Sequence, residues 1–192
     1  LAIQKKLQSP DHLNLTVTYD YLAIVYKNLE VYDKALEYAS KSLGIKQKSL
    51  PPNHIDIAIS LDNLGQVYEK QRKYHDAFEC LSKSLEIKIK TLPFNHIALA
   101  ESYFNIGVVY NEKANYEEAL ESFLRSLEIR EKSSTLVSDN QDICVLYKKI
   151  GTMYKELGNY HLALDYYFKS MKIQLKTTQA DDFSFSSLYY NI

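Results

Sequence analysis

The sequence predicts an all-α solenoid of antiparallel helix pairs. Three observations lead there: an internal repeat of 42 residues, two apolar stripes of helical period in each repeat, and only five Gly and four Pro in 192 residues. So few turn-formers argue against a sheet protein with many tight turns. With 46% hydrophobic and 24% charged residues, the chain has the composition of a folded protein and not of a disordered tail.

The repeat is visible in parallel series. His12, His54 and His96 are 42 apart, and Tyr26, Tyr68, Tyr110 and Tyr154 recur at steps of 42, 42 and 44. The same steps relate Tyr32, Tyr74, Tyr116 and Tyr160, then Ala35, Ala77, Ala119 and Ala163. Ser42, Ser84, Ser126 and Ser170 follow, and Ile45, Ile87, Ile129 and Ile173 close each unit. The one break in step is a two-residue insertion between Ser133 and Asn140. The frame divides the chain into four units, 10–51, 52–93, 94–137 and 138–180. Residues 1–9 are in step with the end of a preceding second helix, and 181–192 with a further first helix, so the sequence is expected to be a fragment.

Each unit begins at a joint. Pro51-Pro52-Asn53-His54 ends one unit and opens the next: proline disfavours helix in the residue before it, and Asn53 or His54 can cap the new helix. The first helix then runs over about 54–70, with Ile57, Leu61, Leu64, Gly65 and Tyr68 on one face. A polar break, Lys70 to Lys73, separates it from a second helix over about 74–90 whose stripe is Tyr74, Ala77, Phe78, Leu81 and Leu85. Small residues mark the contact between the two: Ala23, Gly65, Gly107 and Gly151 on first helices, Ala35, Ala77, Ala119 and Ala163 on second helices. A Gly inside a helix costs about 1 kcal/mol relative to Ala, so three at one register imply close packing that offsets it. The tyrosine series covers that contact with large rings whose hydroxyls reach polar groups or water, which accounts for 17 Tyr.

The spacing of Gly65, Tyr68 and Ala77 resembles the tetratricopeptide repeat. Its usual unit is 34 residues, and eight more lengthen the helices by about two turns in total. Leu-Pro-x-Asn-His at the joint, Asn63-Leu64-Gly65-Gln66-Val67-Tyr68 and Lys83-Ser84-Leu85-Glu86-Ile87-Lys88 are similar to the repeats of kinesin light chains and nephrocystin-3-type arrays. The resemblance covers essentially the whole chain. It implies a right-handed superhelical solenoid whose concave face, lined by first helices, binds an extended peptide. Such a chain is an interaction module and not an enzyme.

The same resemblance names candidate binding positions. The concave position that often carries Asn falls on Tyr21, Asn63, Asn105, Lys149 and Asn191. An Asn amide offers a peptide backbone both a donor and an acceptor; the alternative is a hydrogen bond within the solenoid. The basic register that holds acidic cargo in kinesin light chains falls on Lys46, Lys88, Arg130 and Gln174, and the alternative there is a solvated helix end, where cations suit the dipole. Four residues before the Asn position, where a chaperone-tail clamp has Lys, stand Val17, Ile59, Glu101 and Val145. That disfavours a carboxylate clamp and predicts a peptide with apolar anchors, acidic residues being secondary.

Other chemistry is not indicated. The three His of the joint lie a repeat apart and should cap and pack it, not converge on a metal. Cys144 sits at a small-residue register and is expected to be a buried thiol, while Cys80 occupies a variable one. Two cysteines without a Cys-x-x-Cys pair fit a reducing compartment, and a cytoplasmic location is expected. No phosphate loop, zinc motif or nucleophile elbow is present, so no catalytic residue, cofactor or metal is assigned. A net charge of −1 gives no basic surplus for nucleic acid, and no run approaches the ~18 apolar residues of a membrane span. Two further roles stay open: a targeting or autoinhibitory arm of a larger enzyme, and a scaffold that self-associates end to end through the fragment's ends. The latter would use apolar residues of the terminal stub such as Phe183, Phe185 and Leu188.

Overall fold

The computed structural model describes residues 11–133 and 137–181, with side chains defined over 13–133 and 141–175. The stretches 1–9 and 182–192, Asn191 among them, lie outside it. The described residues form eight α-helices and no strand: α1 (Asp11–Asn28), α2 (Tyr32–Ser49), α3 (Ile55–Lys70), α4 (Tyr74–Thr91), α5 (Ile97–Glu112), α6 (Tyr116–Ser133), α7 (Val137–Glu156) and α8 (Tyr160–Asp181). Odd-numbered helices are the first helices of their repeats and even-numbered ones the second. Each packs antiparallel on the next, and first helices of successive repeats also touch, α1 with α3 and α3 with α5. The architecture is an all-α superhelical solenoid stabilised by neighbour contacts.

The joints form as their residues dictate. The His54 imidazole accepts from the Asp56 N–H at 3.2 Å, and His96 accepts from Ala98 N–H at 3.1 Å. Each thereby satisfies a donor that the helix start leaves free. Of the two caps the joint offers, the structure uses the histidine.

The turn inside each repeat carries a feature that the polar break alone did not reveal. Glu30, Arg72, Ala114 and Gly158 all adopt left-handed backbone, with φ of 60°, 60°, 58° and 77°. Around each, two bonds close the helix: Arg72 N–H donates to Glu69 O and Lys73 N–H to Tyr68 O, with the same pattern at the other three turns. This is a Schellman closure, where glycine is the unstrained residue. Only the fourth repeat has one.

Close packing of the paired helices is real at the register the glycines mark. A Cβ on Gly65 would stand 2.7 Å from Leu81 Cγ, and one on Gly107 2.8 Å from Phe123 Cε1. Phe123, fully buried, anchors a core of Leu127, Ile143, Leu146, Ile150 and Met153 shared by α6 and α7. The recurrent serines tie the same pairs together: Ser42, Ser84, Ser126 and Ser170 each donate to the carbonyl 26 residues earlier, Thr16, Ala58, Ala100 and Cys144, at 2.7–3.3 Å.

Candidate functional site

The face on which first helices approach one another carries the row expected to contact a ligand. Tyr21 on α1 is 66% exposed, and Asn63, Asn105 and Lys149 are half-buried on α3, α5 and α7. One turn earlier on the same helices Val17, Ile59, Glu101 and Val145 are exposed. The two registers therefore form parallel ribbons, one polar and one mostly apolar. Among the described residues neither the Asn63 nor the Asn105 amide has a hydrogen-bond partner, so both retain a donor and an acceptor. That weighs against the alternative in which these amides hold the solenoid together.

A cleft of 230 Å³ opens beside Asn105, walled by Lys27 of α1, Gln66 and Glu69 of α3, and Phe104 and Val108 of α5. Lys27 Nζ donates to Gln66 Oε1 at 2.6 Å and links two repeats across the face. Half-burial, with Lys70 nearby, lowers the Lys27 pKa, and Glu69 partly opposes that. Three first helices thus contribute to one concavity, which combines an apolar wall with polar groups. Lys27 and Gln66 were not singled out from sequence because their registers do not repeat: the positions hold Lys27, Glu69, Asn111, Lys155 and Ile24, Gln66, Val108, Thr152.

The basic register stands behind this face, neither open to the groove nor solvated at a helix end. Lys46 is 5% exposed; its Nζ donates to Asp20 Oδ2 at 2.6 Å and to Ser60 Oγ at 2.8 Å. Lys88, 2% exposed, repeats the arrangement with Asp62 Oδ2 at 2.5 Å and Ser102 Oγ at 2.7 Å. Each lysine joins a second helix to the first helix of its own repeat and to that of the next. The physical reason is length: a four-carbon stem on the inner side of α2 or α4 carries the ammonium between two first helices. The signal for it lay in recurrences not weighed from sequence, Asp20 with Asp62 and Ser60 with Ser102, each 42 apart.

The third junction departs from the pattern. The registers of Asp62 and Ser102 become Phe104 and Leu146, and Arg130 turns instead to Asp142 Oδ2 at 2.5 Å, with its Nε buried and unpartnered. Asp142 is 57% exposed, so this pair is far wetter than the lysine pairs. Burial raises the Asp62 carboxyl above its usual range, opposed by the Lys88 charge and hydrogen bond. Asp62 Oδ1 has no partner.

Cys144 is buried against Ser170, Sγ to Oγ 3.1 Å, as its small-residue register implied. Cys80 is half-buried, and burial pushes its pKa to about 11. Among the described residues no cluster of His, Cys, Asp or Glu could hold a metal ion, and no helix is long and apolar enough to cross a membrane.

Comparison with known proteins agrees with this architecture. Residues 15–90 and 56–132 match the sequence model of the tetratricopeptide repeat, which covers well over half the chain. No curated protein sequence matches it. BtubC (BKLC) from P. vanneervenii superposes with a TM-score of 0.83 at 24% identity, over 90% of this chain and 68% of that one. The nearly identical TPR-like repeats of a Podosopora anserina kinesin-light-chain-type protein give 0.71 at 24% identity, over 92% and 83%. The apo form of RapI gives 0.77 at 22% identity, over 92% and 61%. At these identities the likeness is one of fold.

Proposed function

The chain belongs to the tetratricopeptide repeat family, whose repeats build protein-interaction scaffolds, and from that premise we propose that it holds an extended segment of a partner protein along its first helices. The observation that carries this reading is the pair of unengaged amides, Asn63 and Asn105, at one register of successive first helices, Asn105 beside the cleft. Buried polar groups are ordinarily paired within a protein. Two half-buried amides left free at the same register suit a ligand backbone. Adjacent packed helices lie about 10 Å apart, close to three residues of extended chain at roughly 3.3 Å each. The segment would therefore present one backbone contact and one anchor about every third residue.

Its side chains follow from the second ribbon. Val17, Ile59 and Val145 favour apolar anchors, whereas Glu101 interrupts the row and disfavours an acidic residue opposite α5. Acidic residues of the partner would meet Lys149 and Lys27 at the two ends. Tyr21, Asn63, Asn105 and Lys149 make the direct contacts in this reading. Lys46, Lys88 and Arg130 act indirectly, holding Asp20, Asp62 and Asp142 and so the helices that carry the row. The role is binding, not catalysis.

The test is a display screen of linear peptides against the chain, with Asn63→Ala/Asn105→Ala beside it. Enrichment of a motif with apolar residues three apart on the wild type alone supports the groove. Equal enrichment on the double variant, or none on either, removes it.

A further inference from the structure

A second surface lies on the outer flank, formed by second helices. A groove of 660 Å³ runs between α4 and α6. Its floor is Leu99, Tyr103 and Ile129, and beside it stand two exposed apolar residues, Ile89 at 54% and Phe94 at 82%. Phe94 takes the place that Pro52 holds at the preceding joint, and Ile89 that of Gln47. A smaller groove at the same register one repeat earlier has those more polar or compact residues in its wall. This position therefore presents more apolar surface than the preceding joint, and apolar side chains so exposed mark a contact.

One rim of the groove is a charged ridge on α6 that reads Glu121, Arg125, Glu128, Lys132. The same register on α4 reads Glu79, Lys83, Glu86, Lys90, of which Lys83 and Glu86 wall the groove one repeat earlier. Both sequences of charge are minus, plus, minus, plus. Read against an antiparallel copy of itself, each ridge meets the opposite sign throughout: 121 with 132, 125 with 128, 79 with 90, 83 with 86. The two centres of symmetry are 42 residues apart, one repeat, so a single two-fold axis crossing both helices satisfies both ridges together. The flanking second helices do not share the pattern, since Gly44 interrupts it on α2 and Lys172 reverses it on α8.

Within one chain the α6 ridge is incompletely matched. Glu128 accepts from Lys132 at 2.7 Å and lies 3.6 Å from Arg125, so two cations share one carboxylate, while Glu121 has no cation in reach among the described residues. An antiparallel second copy would set Lys132 opposite Glu121 and Glu128 opposite Arg125. Because α4 and α6 run in the same direction, the joint carrying Phe94 lies at the Lys132 end of the groove. The two-fold axis sets the Phe94 of one copy at the Glu121–Ser122 end of the other's groove.

We propose that this flank is a homotypic interface, through which two copies of the chain pair antiparallel along α4 and α6 and leave both concave faces open. Two outward grooves on one dimer would bind a partner carrying two segments more tightly than either groove alone. The proposal is independent of which peptide those grooves take.

Two variants with reversed ridges test it by analytical ultracentrifugation of the whole chain. One makes both ridges acidic (Lys83→Glu, Lys90→Glu, Arg125→Glu, Lys132→Glu) and the other makes them basic (Glu79→Lys, Glu86→Lys, Glu121→Lys, Glu128→Lys). The expected result is wild-type mass rising towards twice 22.3 kDa with concentration, each variant alone staying monomeric, and an equimolar mixture pairing again. All substituted positions are on the surface, and circular dichroism confirms that the variants fold. Phe94→Asp, which leaves the ridges intact, is expected to weaken pairing by about tenfold or more. A wild type that stays monomeric at every concentration overturns the proposal, as does self-association by both reversed variants at wild-type strength. Loss of association in Phe168→Asp but in neither ridge variant also overturns it, assigning the contact to the end face of α8.

Discussion

Lys88 on α4 and Asp62 on α3 form an ion pair at 2.5 Å, with side chains only 3% and 15% exposed, and Lys46 and Asp20 reproduce it one repeat earlier at 2.6 Å. A buried pair of this kind adds little net stability, because desolvation offsets attraction, but removing one partner strands the other. Lys88→Met should therefore destabilise the chain by about 3 kcal/mol or more, and Lys88→Met/Asp62→Leu should recover most of that loss. A double-mutant cycle by urea unfolding measures both steps. The same cycle on Arg130 and Asp142 should give a coupling below about 1 kcal/mol, since Asp142 is mostly in water.

The left-handed turn residues give a second prediction. Arg72→Gly and Ala114→Gly should each raise stability by up to about 1 kcal/mol, by relieving the Cβ clash of that conformation. Gly158→Ala should lower it by a similar amount. Thermal unfolding of the three single variants decides the matter, and equal midpoints for all would refute the strain argument.

Two glycines inside helices should respond in opposite senses. At Gly107 a methyl meets the buried Phe123 ring, so Gly107→Ala should cost about 1–3 kcal/mol despite the helix propensity it adds. At Gly44 nothing stands within 4 Å, and Gly44→Ala should gain up to about 1 kcal/mol. Chemical denaturation midpoints measured side by side provide the check.

Alkaline pH should weaken the fold through Cys80. Burial raises the folded thiol's pKa to about 11, above the ~8.5 of a free cysteine. A group with a raised folded value contributes stability that is complete below the unfolded pKa and is lost as pH climbs through the folded one. Melting temperature should thus fall between about pH 8.5 and 11, and Cys80→Ala should flatten part of that fall. Tyr147, raised to about 12 by burial and its bond to Glu131, begins to weaken the fold only above the ~10 of a free tyrosine, so the Cys80 effect is read between about pH 8.5 and 10. An unchanged slope in Cys80→Ala would count against the burial.

Much of this was legible in the order of residues, for a physical reason. A solenoid is built from local pairs, so helix period, joint and small-residue register each need only one repeat's worth of sequence, and four copies made each visible. The histidine caps followed from the same reasoning. The left-handed turns were hidden because three of the four carry Glu30, Arg72 and Ala114 in place of the glycine that would announce them.

The sequence by itself determined the helix pairs and, in the second repeat, their boundaries to within a residue or two. The row of Tyr21, Asn63, Asn105 and Lys149 came from the resemblance and falls on first helices. Only the tertiary structure decided what the row's neighbours do. Lys46, Lys88 and Arg130 share one register, yet two of them lie almost wholly out of solvent between first helices and the third turns to an exposed aspartate. That difference depends on which residues three helices bring to one point, Asp and Ser at two junctions and Phe104 and Leu146 at the third. The fate of a long charged side chain is set by partners in the next repeat, and period within one helix carries no information about them.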